Sequence, residues 1–425
     1  MTAEVAILNR VAVALAADSA VTVQGRGGQK VYNTVNKLFG LSKYHPVGVM
    51  IFGSADLIGM PWEVIIKTFR KRLAKRSHAR LEEYADELQK YLTGNPALFP
   101  PEAQGAAIRS FFLAFFSQLA TQARNRARNK KEPPEKALGV ATRLFSIKLA
   151  EFPFLEGYSE EQLESVVASY EPLLRETWEL VLADIPISDD IKALLRKVAG
   201  YCLCKAHDFF EPSGVVIAGY GEEDTFPVLC LFQVHYISDN IPRIGTRDVY
   251  RVTATETGCV YPFAQRDLVT TFMEGIDPNF DSFIQNAVRD LLMDKYPALI
   301  SQALGGVPGF DTVALREKLA EVGAGVLEGF ANATTRFRHE KHISPITNAV
   351  GFLPKDDLAA LAESLVNLTS LKKRVTLDTE TVGGPIDVVV ISKGDGLVWM
   401  KRKHYFRPEL NPHFFTNYFR EDADE

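Results

Sequence analysis

The feature that most constrains this fold is a set of short apolar runs, rich in valine and isoleucine and bounded by glycine, proline, asparagine or aspartate. Such runs predict β-strands, and those without polar alternation predict strands that are covered on both faces. The predicted strands are 5–7, 11–16, 47–52, 215–218, 228–237, 250–255, 386–391 and 397–403. They cluster near the two ends and the middle of the chain.

Helical periodicity fills the intervals between these strands. The predicted helical stretches are 55–76, 79–92, 104–128, 159–184, 188–209, 265–295, 311–335 and 355–373. Strands that alternate with long helical blocks predict sheets layered with helices. The pattern therefore indicates an α+β fold class.

The composition is that of an ordinary globular protein, with 46% hydrophobic and 24% charged residues. A formal net charge of -5 gives no general attraction to nucleic acid or to an anionic membrane. The opening segment lacks the basic region of a signal peptide, and no apolar run is long enough to span a bilayer. We therefore expect a cytoplasmic protein without nucleic-acid or membrane partners. Four cysteines in 425 residues fit a reducing compartment.

The opening segment, MTAEVAILNR, places a threonine directly after methionine. If the methionine is removed, Thr2 carries a hydroxyl nucleophile and a free amine on the same residue. An α-amine titrates near about 7.7–8.0, so a useful fraction is neutral and can accept the hydroxyl proton. Threonine is common at this position, and Thr2 alone is weak evidence for catalysis.

Several segments, in order, resemble the proteasome β-subunit family and its bacterial relative HslV. The matching segments are RVAVALAADSAVT, KVYNTVNKLFGL, PVGVMIFGSADL, VTATETGCVYPF and LDTETVGGPIDVVVISKGDGLVWM. The resemblance implies an N-terminal-nucleophile hydrolase with a four-layer αββα sandwich. It implies no metal and no organic cofactor.

The resemblance also implies roles for single residues. Lys37 would lower the pKa of the Thr2 hydroxyl, and Asp18 would hold that lysine charged and aimed. The backbone N–H of Gly53 would donate to the oxyanion that forms during amide hydrolysis. Each residue also has a structural interpretation: Asp18 as a strand-end carboxylate, Lys37 as a solvated turn lysine and Gly53 as a turn glycine.

Three further residues of the predicted site match the family pattern less closely. Cys259 stands where the family usually has a serine that supports the nucleophile. The resemblance implies that Asp378 and Thr381 are the equivalents of the family's acidic residue and hydroxyl residue. They lie in a segment that is one residue longer than the family's usual one.

Two long stretches fall outside the resemblance and divide the chain. The predicted core consists of residues 1–76, 191–275 and 354–425, the last ending in an acidic tail. A helical insertion is predicted over 77–190, and a second, mainly helical insertion over 276–353.

The function predicted from these observations is that of a threonine peptidase acting on a peptide or an unfolded protein. Members of the family assemble into rings, so a homo-oligomer is expected, with a possible ATPase or regulatory partner. Two alternatives stay open. The chain could be a small-molecule amidase, because one fold hosts several activities, or a catalytically silent assembly subunit.

Overall fold

The computed structural model describes residues 3–25, 28–207, 212–238, 240–305, 307, 311–376 and 383–419. They form a mixed α and β chain with antiparallel strand pairs. The chain divides into two compact units. The first consists of Met1–Thr34, Val252–Val390 and Trp399–Glu425, and the second of Val35–Arg251 and Ile391–Val398.

The described strands form two five-stranded sheets and two short hairpins. The strands are β1 (Ala3–Asn9), β2 (Ala12–Ala17), β3 (Val21–Gly25), β4 (Gly28–Tyr32), β5 (Leu38–Gly40), β6 (Val47–Gly53), β7 (Asp56–Leu57), β8 (Met60–Pro61), β9 (Ser213–Gly219), β10 (Val228–Ser238), β11 (Ile241–Arg251), β12 (Gly258–Ala264), β13 (Asp387–Ser392) and β14 (Gly396–Lys401). The first sheet has the order β12-β1-β2-β13-β14, and the second has the order β11-β10-β9-β6-β5. The hairpins pair β3 with β4 and β7 with β8.

The described α-helices occupy the intervals between the strand groups. They are α1 (Trp62–Leu73), α2 (Leu81–Leu92), α3 (Pro101–Lys130), α4 (Pro134–Ala150), α5 (Leu163–Val181), α6 (Asp189–Cys204), α7 (Asp267–Glu274), α8 (Pro278–Asp290), α9 (Tyr296–Leu304), α10 (Thr312–Arg338), α11 (Ser344–Val350), α12 (Lys355–Val375) and α13 (Pro412–Phe419). Two π-helical turns, Leu291–Lys295 and His339–Ile343, flank α9 and α10. None of the helices in the described ranges is both long enough and apolar enough to cross a membrane.

In the first unit, helix α12 packs against β1 and β2. The apolar core at this contact includes Ala3, Val5, Ile7, Ala14, Leu358, Leu365 and Val366. The alternate residues of β1 and β2 are buried as well. These strands are therefore covered on both faces, as their unbroken apolar sequences predict.

The second unit contains two apolar clusters. One joins the second sheet to α1 and α2, and it includes Trp62, Ile65, Phe69, Leu88, Val215, Ile217 and Phe232. The other is formed by α3, α4, α5 and α6 and includes Phe112, Phe116, Leu119, Leu138, Trp178 and Leu195. Helix α2 lies inside the predicted insertion 77–190, yet it packs against the second sheet. The five-segment division of the chain stays a prediction.

Two helix predictions were wrong, each for a local reason. Helix α4 was missed because a proline pair reads as a break, but Pro134 is at the first helical position, where its missing N–H costs nothing. The predicted helix 265–295 is interrupted. Gly275 ends α7 with φ +74°, and the side chain of Asp277 accepts the backbone N–H groups of Asn279 and Phe280 to begin α8.

One strand prediction was also wrong. Of residues 250–255, only Tyr250 and Arg251 are in a strand, because β11 ends at Arg251 and β12 begins at Gly258. Between them the hydroxyl of Thr253 accepts the backbone N–H of Glu256 at 2.9 Å. A side chain that bonds to the nearby backbone stabilises a turn in place of a sheet ladder.

Candidate functional site

Asp18 lies directly after β2 in the first unit and is only 1% exposed. Its Oδ1 accepts the backbone N–H of Ala3 at 3.2 Å, and its Oδ2 accepts the backbone N–H of Gly383 at 2.9 Å. The backbone N–H of Asp18 in turn donates to the carbonyl of Ala3 at 3.1 Å. Both carboxylate oxygens are therefore bound to backbone, and one of them holds the residue next to Thr2.

Ser19 extends this arrangement, and the sequence interpretation missed it. Its backbone N–H donates to the carbonyl of Gly383 at 3.2 Å, and its hydroxyl donates to the carbonyl of Pro385 at 2.5 Å. Gly384 has φ +77°, and a Cβ there would lie 2.5 Å from the carbonyl oxygen of Asn33. The sequence signal was present, since a serine follows the aspartate and a glycine pair precedes the proline.

Lys37 lies in the second unit, directly before β5, and is only 4% exposed. Its backbone carbonyl accepts the N–H of Ile51 on β6 at 2.9 Å. A lysine is almost never fully buried unless its charge is compensated. The interpretation of Lys37 as a solvated turn lysine is therefore wrong.

Gly53 ends β6 in the second unit with φ +78°. It pairs with Ser213 on β9, and a Cβ on Gly53 would lie 2.4 Å from the carbonyl oxygen of Pro212. A residue with a side chain would be strained by the backbone angle and by this contact. The positive φ and the close contact with Pro212 explain why a glycine occupies this turn. Its role as an oxyanion donor stays a prediction.

The structure places the predicted site residues in different parts of the chain. Asp18 contacts the backbone of Ala3 within the first unit, whereas Lys37 and Gly53 belong to the second unit. Three of the other predicted residues, Thr2, Asp378 and Thr381, lie outside the described residues. Their roles stay predictions.

Cys259 lies on β12. In the register of β1 with β12, Ala3 lies opposite Ala264 and Leu8 lies opposite Cys259. Five residues of extended strand separate Cys259 from the position opposite Ala3 by about 17 Å. The supporting role of Cys259 stays a prediction, because Thr2 lies outside the described residues. Burial raises the pKa of its thiol above the ordinary value, although a hydrogen bond with Tyr261 acts in the opposite direction.

The first unit also contains a cavity of about 460 Å³ beside β12. It is lined by residues 255–261 together with Met273, His339, Ile343, Ser344, Thr347 and Asn348. Within it the hydroxyl of Ser344 lies 3.2 Å from Nδ1 of His339. Within the described ranges, no group of three or more histidine, cysteine, aspartate or glutamate residues is arranged to hold a metal ion.

No family model matches the chain, and no curated protein matches it. Among solved structures, an Anbu mutant from Hyphomicrobium sp. strain MC1 is similar, with a TM-score of 0.31 and 9% identity over 100% of both chains. The predicted membership of the proteasome β-subunit and HslV family is therefore wrong. No family model or curated protein links the chain to that family, and the Anbu similarity is too low to support an argument.

Proposed function

We propose that the chain hydrolyses amide bonds, with the hydroxyl of Thr2 as nucleophile and the α-amine of Thr2 as base. The amine becomes available when the peptide bond before Thr2 is cleaved. The observation that carries this proposal is the buried carboxylate of Asp18, which accepts the backbone N–H of Ala3, the residue that follows Thr2. Ala3, the residue that follows Thr2, is thereby held at a buried carboxylate, and a catalytic nucleophile must be accurately positioned to react.

The proposed reaction needs no reactant other than the substrate and water. The hydroxyl oxygen of Thr2 attacks the carbonyl carbon while its proton passes to the neutral α-amine. The resulting oxyanion is stabilised by backbone donors, for which Gly53 is the candidate. The C–N bond then breaks, the leaving amine takes the proton, and water hydrolyses the ester to free Thr2.

Burial of charge in both units supports this proposal. Asp18 and Lys37 are 1% and 4% exposed, and an ionised side chain is costly to remove from water. In the proposed mechanism Lys37 supplies the cation that favours the alkoxide of Thr2.

Peptide bonds are the proposed substrate, and a small amide is the second candidate. We also propose that the chain has the four-layer αββα arrangement. We propose further that it assembles with other copies of itself and that an ATPase or regulatory protein is a partner. These proposals rest on the sequence.

A catalytically silent subunit is the remaining alternative. It requires that the amine of Thr2 stays blocked.

The test is labelling of the purified full chain by a threonine-directed electrophile, read by intact mass and peptide mapping. We expect one adduct on Thr2, none on the Thr2→Ala variant and slower labelling of Thr2→Ser. The Thr34→Ala variant is the matched control, because Thr34 is exposed in the same unit. If the amine of Thr2 is blocked in all of the protein, or the adduct forms elsewhere, the proposed mechanism is refuted. Turnover of fluorogenic peptides against that of small amides then separates the two substrate classes.

A further inference from the structure

The cavity beside β12 runs along the edge of the first sheet. Strand residues 258–261 all line it, although successive side chains of a strand point to opposite faces. A cavity that contacts consecutive residues must therefore follow the backbone edge of the strand. Strand β12 is at the end of the described sheet order, so this edge is the outer one. We call the cavity, with the lining residues given above, the β12 groove.

The hydrogen bonds of Ala3 decide which residues of β12 face the groove. The N–H and the C=O of Ala3 both bond to Asp18, which is on the β2 side of β1. Backbone groups alternate along a strand, so the next residue, Glu4, directs its N–H and C=O towards β12. By the same alternation Ala6 and Leu8 also point towards β12.

The register then fixes the direction of each backbone group in β12. Ala6 lies opposite Tyr261 and Leu8 lies opposite Cys259, so these two residues of β12 bond to β1. Val260 and Pro262 have the opposite parity and point away from β1. Proline agrees with this assignment, because a residue without an N–H is tolerated in a sheet where the N–H would face outward.

The outer edge of β12 at the groove therefore offers a short, ordered set of backbone groups. Val260, which lines the groove, presents an N–H and a C=O, and Pro262, two residues further along the same edge and just beyond the lining residues, presents a C=O. One end of the groove is closed by α11, because a Cβ on Gly258 would lie 2.5 Å from the carbonyl oxygen of Thr347. Two polar residues, Ser344 and Asn348, also line the groove. Along this edge one donor is followed by two acceptors. An extended antiparallel backbone satisfies them, because one of its residues can exchange both hydrogen bonds with Val260 and a further N–H can reach Pro262.

We propose that the β12 groove binds an extended peptide segment, which adds to β12 as a further strand. Main-chain hydrogen bonds to Val260 and Pro262 give the affinity, and the polar residues that line the groove select among side chains. A small molecule could fill the volume of the groove. Its hydrogen-bonding groups, however, need not be spaced to match the backbone donor and acceptors of β12. The groove contacts β12 opposite the end of β1 that is away from Ala3, and the proposal does not depend on hydrolysis at Thr2.

The decisive variant is Val260→Pro. It removes the outward N–H but leaves the pairing of β12 with β1 intact, as Pro262 already does. The matched control is Val260→Thr, which changes the side chain and retains the N–H. Both variants should unfold at temperatures close to that of the wild type.

The probe is a library of randomised, capped, fluorescein-labelled heptapeptides, with a twin library methylated on every second backbone nitrogen. Binding is followed by anisotropy in the Thr2→Ala background, which separates binding from hydrolysis. We expect saturable binding that falls by roughly tenfold or more in Val260→Pro and by less than about threefold in Val260→Thr. The methylated library should bind at least about tenfold more weakly.

A second measurement needs no variant of the groove. Amide hydrogen exchange of Val260, followed by NMR in the full chain, should be fast in the free protein and slow on addition of the library. The amide of Tyr261 should be protected in both states, because it bonds to β1. The proposal is overturned if Val260 is already protected, if the library leaves its exchange unchanged, if the methylated library protects it equally, or if Val260→Pro binds as well as the wild type.

Discussion

Asp18 and Ala3 are joined by two hydrogen bonds, one from the backbone N–H of Ala3 to the carboxylate and one from the backbone N–H of Asp18 to the carbonyl of Ala3. The pair fixes the start of β1 beside a buried charge. It also sets the direction of every later backbone group in β1. The same two bonds therefore position the residue after Thr2 and determine that Val260 faces the β12 groove.

Substitution of Asp18 by asparagine should destabilise the fold. The amide group has one oxygen acceptor, so either Ala3 or Gly383 keeps a buried N–H without an acceptor. A buried donor left without its partner costs about 1–3 kcal/mol. We expect the free energy of unfolding, measured in urea, to fall by about this amount, and labelling of Thr2 to slow as well.

The control for this prediction is Asp357→Asn, an exposed aspartate in the first turn of α12 of the same unit. It should change the free energy of unfolding by less than about 0.5 kcal/mol. Coincident unfolding curves for wild type and Asp18→Asn would show that the two backbone hydrogen bonds contribute nothing to stability.

Replacement of Lys37 by methionine tests the proposed cation directly. Methionine fills a similar volume without a charge, but the buried groups that compensate the lysine charge lose their partner, and loss of one partner of a buried charge pair costs about 3–5 kcal/mol. We expect the free energy of unfolding, measured in urea, to fall. The rate of labelling at Thr2 should fall by about 100-fold or more, since a group that stabilises charge in the transition state is lost.

Lys43→Met is the matched control, because Lys43 is exposed six positions further along the chain. It should leave both the stability and the labelling rate unchanged. Equal labelling of wild type and Lys37→Met would remove Lys37 from the proposed mechanism and leave its burial as a feature of the fold alone.

Gly53→Ala and Gly59→Ala form a matched pair that separates backbone strain from steric contact. Both glycines have positive φ, +78° and +86°, so alanine is strained at either position by about 1–2 kcal/mol. A Cβ on Gly59 meets nothing within 4 Å, whereas one on Gly53 would lie 2.4 Å from the carbonyl oxygen of Pro212. Gly53→Ala should therefore lower the free energy of unfolding more than Gly59→Ala, as measured in urea. Equal losses would show that β6 and β9 separate without cost.

Most sheet strands could be predicted from the sequence, because strands that are buried on both faces have unbroken apolar sequences. Strand β12 could not, since GCVYPFA contains a proline and a glycine and has partly exposed residues. Its strand conformation comes from pairing with β1, which is far away in the chain. Helix α4 was missed for a similar reason, because Pro134 serves as a helix start only when a helix follows it.

The candidate site was predictable in part. Asp18 and Lys37 were identified from the sequence as site residues, and both are buried. Their burial could not be predicted, because it results from tertiary packing and not from the local sequence pattern. Cys259 was included because a short segment looked like a family motif. The strand register places it about 17 Å from the position opposite Ala3, and register is a property of the sheet and not of the motif.

The cysteines give a prediction that depends on pH. Cys202, Cys204 and Cys230 are buried, whereas Cys259 is partly exposed and lines the β12 groove. Burial raises the pKa of Cys259, and it raises the pKa of Cys204 to about 12. The thiolate is the reactive form, so a raised pKa leaves little of it near neutral pH.

In the native chain we expect a disulfide reagent such as Ellman's reagent to modify one thiol, that of Cys259. A raised pKa means that the thiolate fraction still grows with pH throughout the mildly alkaline range. The rate should therefore increase by about tenfold between pH 7.5 and pH 8.5, where an unperturbed thiol would already begin to level off. Cys259→Ser should abolish the reaction in the native state, and all four thiols of the wild type should react after unfolding in urea. Rapid modification of two or more thiols in the folded protein would contradict the burial of α6 and β10, which carry the other three.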